Sequence, residues 1–165
     1  MGAGHLPNSK LHFNVSHADD LIAIAITELG PIGIDVEHRR EISNRDDLVD
    51  STFDELEKQC YFSADEAQRN DLFLGAFSQK EACLKNVGVG LLLPMTQVHT
   101  SNLMIVRGTA EVDLSKNLNG KLARHTSTNC IKLQMYPLNL PDNFVGAIAV
   151  KDSRVKIEQY GFGLN

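Results

Sequence analysis

The sequence predicts an α+β fold, an antiparallel sheet packed with helices, formed by residues 1–165 as a single domain. Three observations carry that expectation. Apolar residues alternate, or run unbroken, in short segments near both ends of the chain. The first of these segments follow one another at short intervals, as in an antiparallel meander. One central stretch has helical spacing, and no repeat period or low-complexity linker divides the chain.

Leu11, Phe13 and Val15 alternate with His12 and Asn14, the period-2 pattern of a half-buried strand. The turn-forming run Ser16-His17-Ala18-Asp19-Asp20 interrupts it, and residues 21–27 then form an apolar run suited to a strand buried on both faces. Gly30-Pro31 is a turn signal, and residues 32–37 make a third strand. The charged residues 39–46 predict a surface loop, and the spacing of Leu48, Phe53, Leu56 and Cys60 predicts helix over about 47–61. Ser63-Ala64-Asp65-Glu66 has a capping-box pattern and predicts a second short helix from Ser63. Residues 71–87 are the strongest helix, with Phe73, Phe77, Leu84 and Val87 to one side and Gly88 as a C-terminal stop. Beyond Gly90 the candidate strands are 104–106, 110–114, 131–136, 144–150 and 155–160, with turns at Asn119-Gly120 and Asp142-Asn143.

Composition excludes several classes. Hydrophobic residues at 42% and charged residues at 22% lie near globular averages, so the chain is neither a disordered tail nor a fibre. No apolar run approaches the length of a membrane span, and residues 1–10 lack the pattern of an export signal. Cys60, Cys83 and Cys130 are an odd set without metal-type spacing, which predicts reduced thiols in a cytoplasmic protein. A net charge of −5 argues against broad nucleic-acid binding.

Three clusters can carry chemistry, and each has a plain structural reading beside the functional one. Ser16-His17 is either a polar strand end or an anion contact, since an imidazole N–H beside a hydroxyl suits phosphate. In Gly33-Ile34-Asp35-Val36-Glu37 the strand period points Asp35 and Glu37 to one face, as an exposed acidic face or as oxygen ligands to a hard divalent cation. Glu81 and Lys85 stand four apart on a helix, as a surface ion pair or as a third carboxylate and a phosphate-binding cation.

Taken in order, Phe13-Asn14-Val15-Ser16-His17, Ile32-Gly33-Ile34-Asp35-Val36-Glu37 and the stretch from Phe77-Ser78-Gln79-Lys80-Glu81-Ala82-Cys83-Leu84-Lys85 to Leu91 resemble the three signatures of the Sfp-type 4′-phosphopantetheinyl transferases. Phe62-Ser63 and Glu66 also fit the stretch before the third signature. The resemblance implies half of a pseudo-two-fold fold. It also implies transfer of 4′-phosphopantetheine from coenzyme A to a serine of an acyl or peptidyl carrier protein, releasing adenosine 3′,5′-bisphosphate. Carried across, Asp35, Glu37 and Glu81 are the expected Mg²⁺ ligands, with Mn²⁺ as an alternative ion. Glu81 is also the expected acceptor of the serine proton, directly or through water. Lys85 is expected on the phosphate oxygens, and Ser16 and His17 on the coenzyme A phosphates.

Two departures from the family pattern stand out. Phe77 replaces the usual Trp. The Ser-His signature, which opens the second half in relatives, begins 15 residues in, so most of the first half is absent from this sequence. Self-association of the chain could supply the missing wall. A non-catalytic protein that binds coenzyme A or a carrier protein, and a Mg²⁺-dependent pyrophosphate hydrolase, are the alternatives to the transferase. Carrier proteins are usually acidic, so Arg39, Arg40 and Arg45 are candidates for a basic docking surface against the reading of an ordinary charged loop.

Overall fold

The computed structural model describes residues 4–5, 10–115, 130–152 and 154–161. In chain order these form β1 (Gly4–His5), β2 (His12–Ala18), β3 (Leu21–Thr27), β4 (Ile32–His38), α1 (Arg45–Thr52), α2 (Glu55–Ser63) and α3 (Glu66–Val87). Two short 3-10 turns (Gly90–Leu92 and Met95–Gln97) lead into β5 (Val98–Thr100), β6 (Gly108–Asp113), β7 (Cys130–Pro137) and β8 (Phe144–Val150). All strand pairings are antiparallel, in a small sheet of order β1-β2-β3 and a larger one of order β4-β8-β7-β6-β5. The expected α+β class is observed, with helix α3 lying on one face of the larger sheet and the small sheet on the other.

The layers follow from side-chain period. Ala82, Cys83 and Leu84 of α3 pack with Val112, Leu133, Met135, Ala147 and Ala149, alternate residues of three neighbouring strands. Ile34, Ile148, Val150 and Tyr136 line the opposite face with Ala25 of the small sheet. Every residue of β8 is buried, because the strand is flanked by β4 and β7 and covered on both faces. A third cluster, Val49, Phe53, Tyr61 and Phe73, holds α1 and α2 against α3.

The predicted meander stops one strand short. β4 does not pair with β3; it pairs with β8, with Ile34 opposite Ile148. It lies in a separate layer because both its faces are apolar or helix-packed. β2 serves the free edge of β4 with side chains instead of backbone: the Ile34 amide donates to Asn14 Oδ1 at 3.0 Å and the Val36 amide to Ser16 Oγ at 3.3 Å. Ser16-His17-Ala18 belong to β2, and the turn is confined to Asp19-Asp20, where Asp19 has φ +47°. Asp19 also meets His38 at 3.1 Å, which ties this turn to the end of β4. β3 is not buried on both faces. Ala25 points inward while Ile22, Ile24 and Ile26 point out and are 68%, 61% and 64% exposed.

The expected helix over 47–61 is broken at Phe53, whose backbone is extended. The capping box lies at Asp54, which accepts from the Leu56 and Glu57 amides while Glu57 accepts from the Asp54 amide. Ser63 therefore ends a helix where the sequence predicts a start, its hydroxyl donating to the Cys60 carbonyl at 2.9 Å. Arg45, expected in a surface loop, begins α1 and is buried among Glu41, Asp46 and Glu66. Helix α3 starts five residues before the predicted point and stops, as expected, at Gly88 in the left-handed conformation (φ +75°).

Residues 144–150 form β8 as predicted, β6 and β7 lie within two residues of expectation, and Asp142-Asn143 is a turn. Residues 104–106 form bends and not a strand: their segment wraps the Gln79 amide, whose Nε2 lies 3.1, 3.2 and 3.2 Å from the carbonyls of Asn102, Leu103 and Met104 and shares its two hydrogens among them. The strand on this side is β5, which the sequence reading missed. The predicted strand at 155–160 is an irregular segment whose Val155 and Ile157 pack on the second core. Asn119-Gly120 lies outside the described residues. Among the described residues, no helix is long and apolar enough to cross a membrane.

Candidate active site

Helix α3 approaches β4 most closely at Gly33. A Cβ there would stand 1.9 Å from the Ala82 carbonyl oxygen, so only glycine permits this contact. Polar side chains along the helix fasten the approach. Ser78 Oγ donates to the Asp35 carbonyl at 3.2 Å, and Asn86 Nδ2 donates to the carbonyls of Pro31 (2.7 Å) and Ala149 (3.0 Å). Gln79 holds the 102–104 segment, and the wholly buried Lys80 pairs with Glu57 of α2 at 2.6 Å. Ser78, Gln79, Lys80, Lys85 and Asn86 thus all have partners. Glu81, half-buried in the same run, has no hydrogen-bond or ion-pair partner among the described residues.

Around that contact the structure brings Ser16, Asp35, Glu37, Glu81 and Lys85 together. Asp35 is only 4% exposed. One of its oxygens accepts from Lys85 Nζ at 2.7 Å and from Ser16 Oγ at 3.0 Å. Lys85 Nζ also donates to Ser16 Oγ (3.1 Å) and to the Ile34 carbonyl (3.2 Å). The second oxygen, Asp35 Oδ2, is buried without a partner, a condition that costs free energy unless a cation or donor reaches it. Burial raises the Asp35 carboxyl above the usual range even against the pull of Lys85. Burial and then the Asp35 charge raise Glu81, and burial, Asp35 and Glu81 lift Glu37 to about 7, with Arg40 and Lys85 opposing. Three carboxylates thus share one neighbourhood, and burial raises the pKa of each.

The donor set fits a hard divalent ion, because all three groups offer oxygen and Asp35 Oδ2 is vacant of partners. As the side chains stand, no three His, Cys, Asp or Glu among the described residues converge at ligand distance. Lys85 already occupies the other oxygen of Asp35.

Glu37 gives a pH prediction. Burial lifts it to about 7 from the ordinary 4.5, so the folded chain keeps a proton there that the unfolded chain has lost. The stability this contributes is full below about pH 4.5 and is lost as pH rises through 7. Allowing for solvent that reaches the group, the change is about 1–2 kcal/mol. Differential scanning calorimetry at low ionic strength should show Tm falling from pH 5 to 8, and Glu37→Gln should flatten the slope. A Tm that rises over that interval in the parent chain contradicts the assignment.

His17 does not join the cluster. Ser16 and His17 are consecutive on β2 and so point to opposite faces, Ser16 to Asp35 and His17 to solvent beside Ile22. Asn14, on the Ser16 face and buried, was missed in the sequence although its i, i+2 spacing to Ser16 marks it. Phe77 packs as expected, stacked on Phe73 at 6.1 Å. Cys83 is buried 3.4 Å from the Met135 sulfur, and burial pushes its thiol up to about 12, which suits packing and not reaction. The candidate basic surface shrinks: Arg45 is buried, Arg39 pairs with Asp71 at 2.6 Å, and Arg40 remains exposed beside Glu37. Lys116, Lys121 and Arg124, a further loose basic group in the sequence, lie outside the described residues.

This placement of Asp35, Glu37, Glu81 and Lys85 falls inside the stretch, residues 31–149, that matches the profile of the 4′-phosphopantetheinyl transferase superfamily. The chain belongs to that superfamily. It is similar to the 4′-phosphopantetheinyl transferase ffp of Bacillus subtilis, 34% identical over 90 residues, which are 54% of this chain and 38% of that protein. It is likewise 33% identical over 84 residues to the transferase Sfp of Bacillus subtilis strain 168, covering 51% of this chain and 36% of the relative. The transferase HetI of a Nostoc species is 34% identical over 83 residues, 50% of this chain and 35% of its own length. In each case the match spans less than two-fifths of the relative.

Proposed function

We propose that this chain serves a cytoplasmic, Mg²⁺-dependent 4′-phosphopantetheinyl transferase, moving the phosphopantetheine arm of coenzyme A to a serine hydroxyl of an acyl or peptidyl carrier protein. The observation that carries the reading is the shared neighbourhood of Asp35, Glu37, Glu81 and Lys85, inside a superfamily match, with Asp35 Oδ2 unpartnered. Asp35, Glu37 and Glu81 would hold Mg²⁺, which when bound neutralises their charge and that of the pyrophosphate. In the reaction the serine oxygen forms a bond to the β-phosphorus, and the bond from that phosphorus to the bridging oxygen breaks, releasing adenosine 3′,5′-bisphosphate. Glu81, raised by burial and lacking a hydrogen bond, accepts the serine proton. Lys85, one helical turn further along α3, reaches phosphate oxygens once it turns from Asp35. His17 contacts coenzyme A in this reading only from the far face of β2, apart from Ser16.

Intact-mass spectrometry of an apo carrier protein incubated with the chain, coenzyme A and Mg²⁺ tests this. The carrier should gain one phosphopantetheine, and Glu81→Gln should slow the gain by at least ~10²-fold, the scale of a lost general base. EDTA should abolish it. No gain on any of several carriers, with coenzyme A binding retained, would leave a binding protein in place of an enzyme.

A further inference from the structure

Ser16 stands where the free edge of β4 meets the site. It is buried, and its side chain comes from the inward face of β2. Its hydroxyl has three partners. The Val36 amide (3.3 Å) and Lys85 Nζ (3.1 Å) both donate to Ser16 Oγ, and Ser16 Oγ donates to Asp35 Oδ1 at 3.0 Å. A serine hydroxyl offers one hydrogen and two lone pairs, so this set uses all of its capacity. Two incoming donors also fix where the hydrogen goes, since only Asp35 is left to accept it. Lys85 is filled in the same way. Its three ammonium hydrogens serve Asp35 Oδ1 (2.7 Å), Ser16 Oγ and the Ile34 carbonyl (3.2 Å). The Ile34 amide in turn donates to Asn14 Oδ1 at 3.0 Å, so β2 holds the backbone amides on either side of Asp35.

We infer that Ser16 is a positioning residue for the proposed reaction: it sets the rotation of the Asp35 carboxylate and parks Lys85 beside it, leaving Asp35 Oδ2 as the open oxygen. Lysine alone cannot do this. Its flexible four-carbon stem lets the ammonium follow either carboxylate oxygen. Ser16 has a short side chain on a strand paired with β3 along its whole length, so its hydroxyl stays in place. Ser16 therefore decides which oxygen takes the internal donors and which is left for a cation. A contact from Ser16 to a phosphate oxygen, which can only accept, would need the hydrogen that Asp35 holds. What Asp35 and Lys85 do once held rests on the transferase reading; how they are held does not.

Proton–nitrogen NMR of the isotope-labelled chain tests the holding without any ligand. The Lys85 ammonium, with its three acceptors, should give a slowly exchanging signal, assigned by its loss in Lys85→Arg. Ser16→Ala should broaden or abolish that signal, and Ser16→Thr, which keeps the hydroxyl, should retain it. Ser16→Cys, close to serine in size but a weak hydrogen-bonding group, should lose it as alanine does, which guards against an alanine variant that fails to fold. Lys80, the other buried ammonium, meets Glu57, Met95 and Val98, so its signal should persist in every variant and report an intact fold. A Lys85 signal unchanged by Ser16→Ala overturns the inference. So does a parent chain that shows the Lys80 signal and none from Lys85. In carrier modification, Ser16→Ala should lower kcat roughly 10–100-fold, the range for losing a group that orients a metal ligand, while KM for coenzyme A stays within about threefold. A raised KM with kcat retained would make Ser16 a phosphate contact and overturn the inference as well. A parent chain that transfers nothing defeats the transferase reading alone, and the NMR result still decides the role of Ser16.

Discussion

Gly33→Ala is expected to cost about 3 kcal/mol or more, a fall in Tm of roughly 6–12 °C for a chain of this size. The added Cβ would lie 1.9 Å from the Ala82 carbonyl oxygen and 2.6 Å from the Asn86 amide nitrogen, both backbone atoms of α3 that cannot swing aside. The helix must withdraw from β4. Withdrawal stretches the Ser78–Asp35 and Asn86–Pro31 bonds, at 3.2 and 2.7 Å, and carries Glu81 and Lys85 away from Asp35. The damage should therefore reach the site as well as the fold, lowering Tm and carrier modification together. Gly88→Ala is the matched control. Gly88 also needs a left-handed conformation (φ +75°), yet a Cβ there meets nothing within 4 Å, so the substitution costs only backbone strain of about 1 kcal/mol. Calorimetry of the two variants separates close approach from conformational strain. Equal costs would mean that α3 does not press on β4 as the structure has it.

Much of this arrangement was legible because it rests on periodicity. Period 2 in β4 puts Asp35 and Glu37 on one face, and four-residue spacing in α3 puts Glu81 beside Lys85, whatever the surroundings. What periodicity cannot supply is the neighbour. An Ile-Ala alternation is compatible with a strand covered on both faces or on one, and only the absence of an element over Ile22, Ile24 and Ile26 decides between them. The same gap hid the layer change at β4, since a short turn after β3 fits a hairpin as well as a step into the next sheet.

The acids lie together as their spacing predicts, whereas their hydrogen-bond partners do not follow from spacing. Ser16, given a phosphate contact by the resemblance, hydrogen-bonds Asp35 here, because the strand continues through Ser16 to Ala18 and its alternation sends Ser16 inward and His17 outward. Lys80, directly before Glu81, carries no role in the sequence reading. Its helical position gave a signal: Ala76, Cys83 and Leu84, at four before, three after and four after, are all buried, so Lys80 shares the apolar side of α3 and must bring a partner with it.

That partner makes the Lys80–Glu57 pair the second position of large expected effect, and the two halves should not be equivalent. Lys80 Nζ meets Glu57 Oε2 at 2.6 Å, the Met95 carbonyl at 3.2 Å and the Val98 carbonyl, with the lysine wholly buried. Burial lowers the lysine pKa, with Glu57 pulling the other way. Removing one member of a buried pair costs about 3–5 kcal/mol, mainly through the charge left behind. After Lys80→Met the Glu57 carboxylate still accepts from the Asp54 amide (2.9 Å), the Thr100 amide (3.0 Å) and the Thr100 hydroxyl (2.8 Å), so the cost should fall near the lower end. After Glu57→Met the ammonium keeps only carbonyls, while the α2 capping box and the Thr100 donors lose their acceptor, so the cost should reach the upper end. The double variant should cost less than the two singles summed, since neither charge remains stranded. Denaturant unfolding of the three variants measures both differences. Equal single costs that simply add would make the pair two independent surface-like charges, which the complete burial of Lys80 forbids.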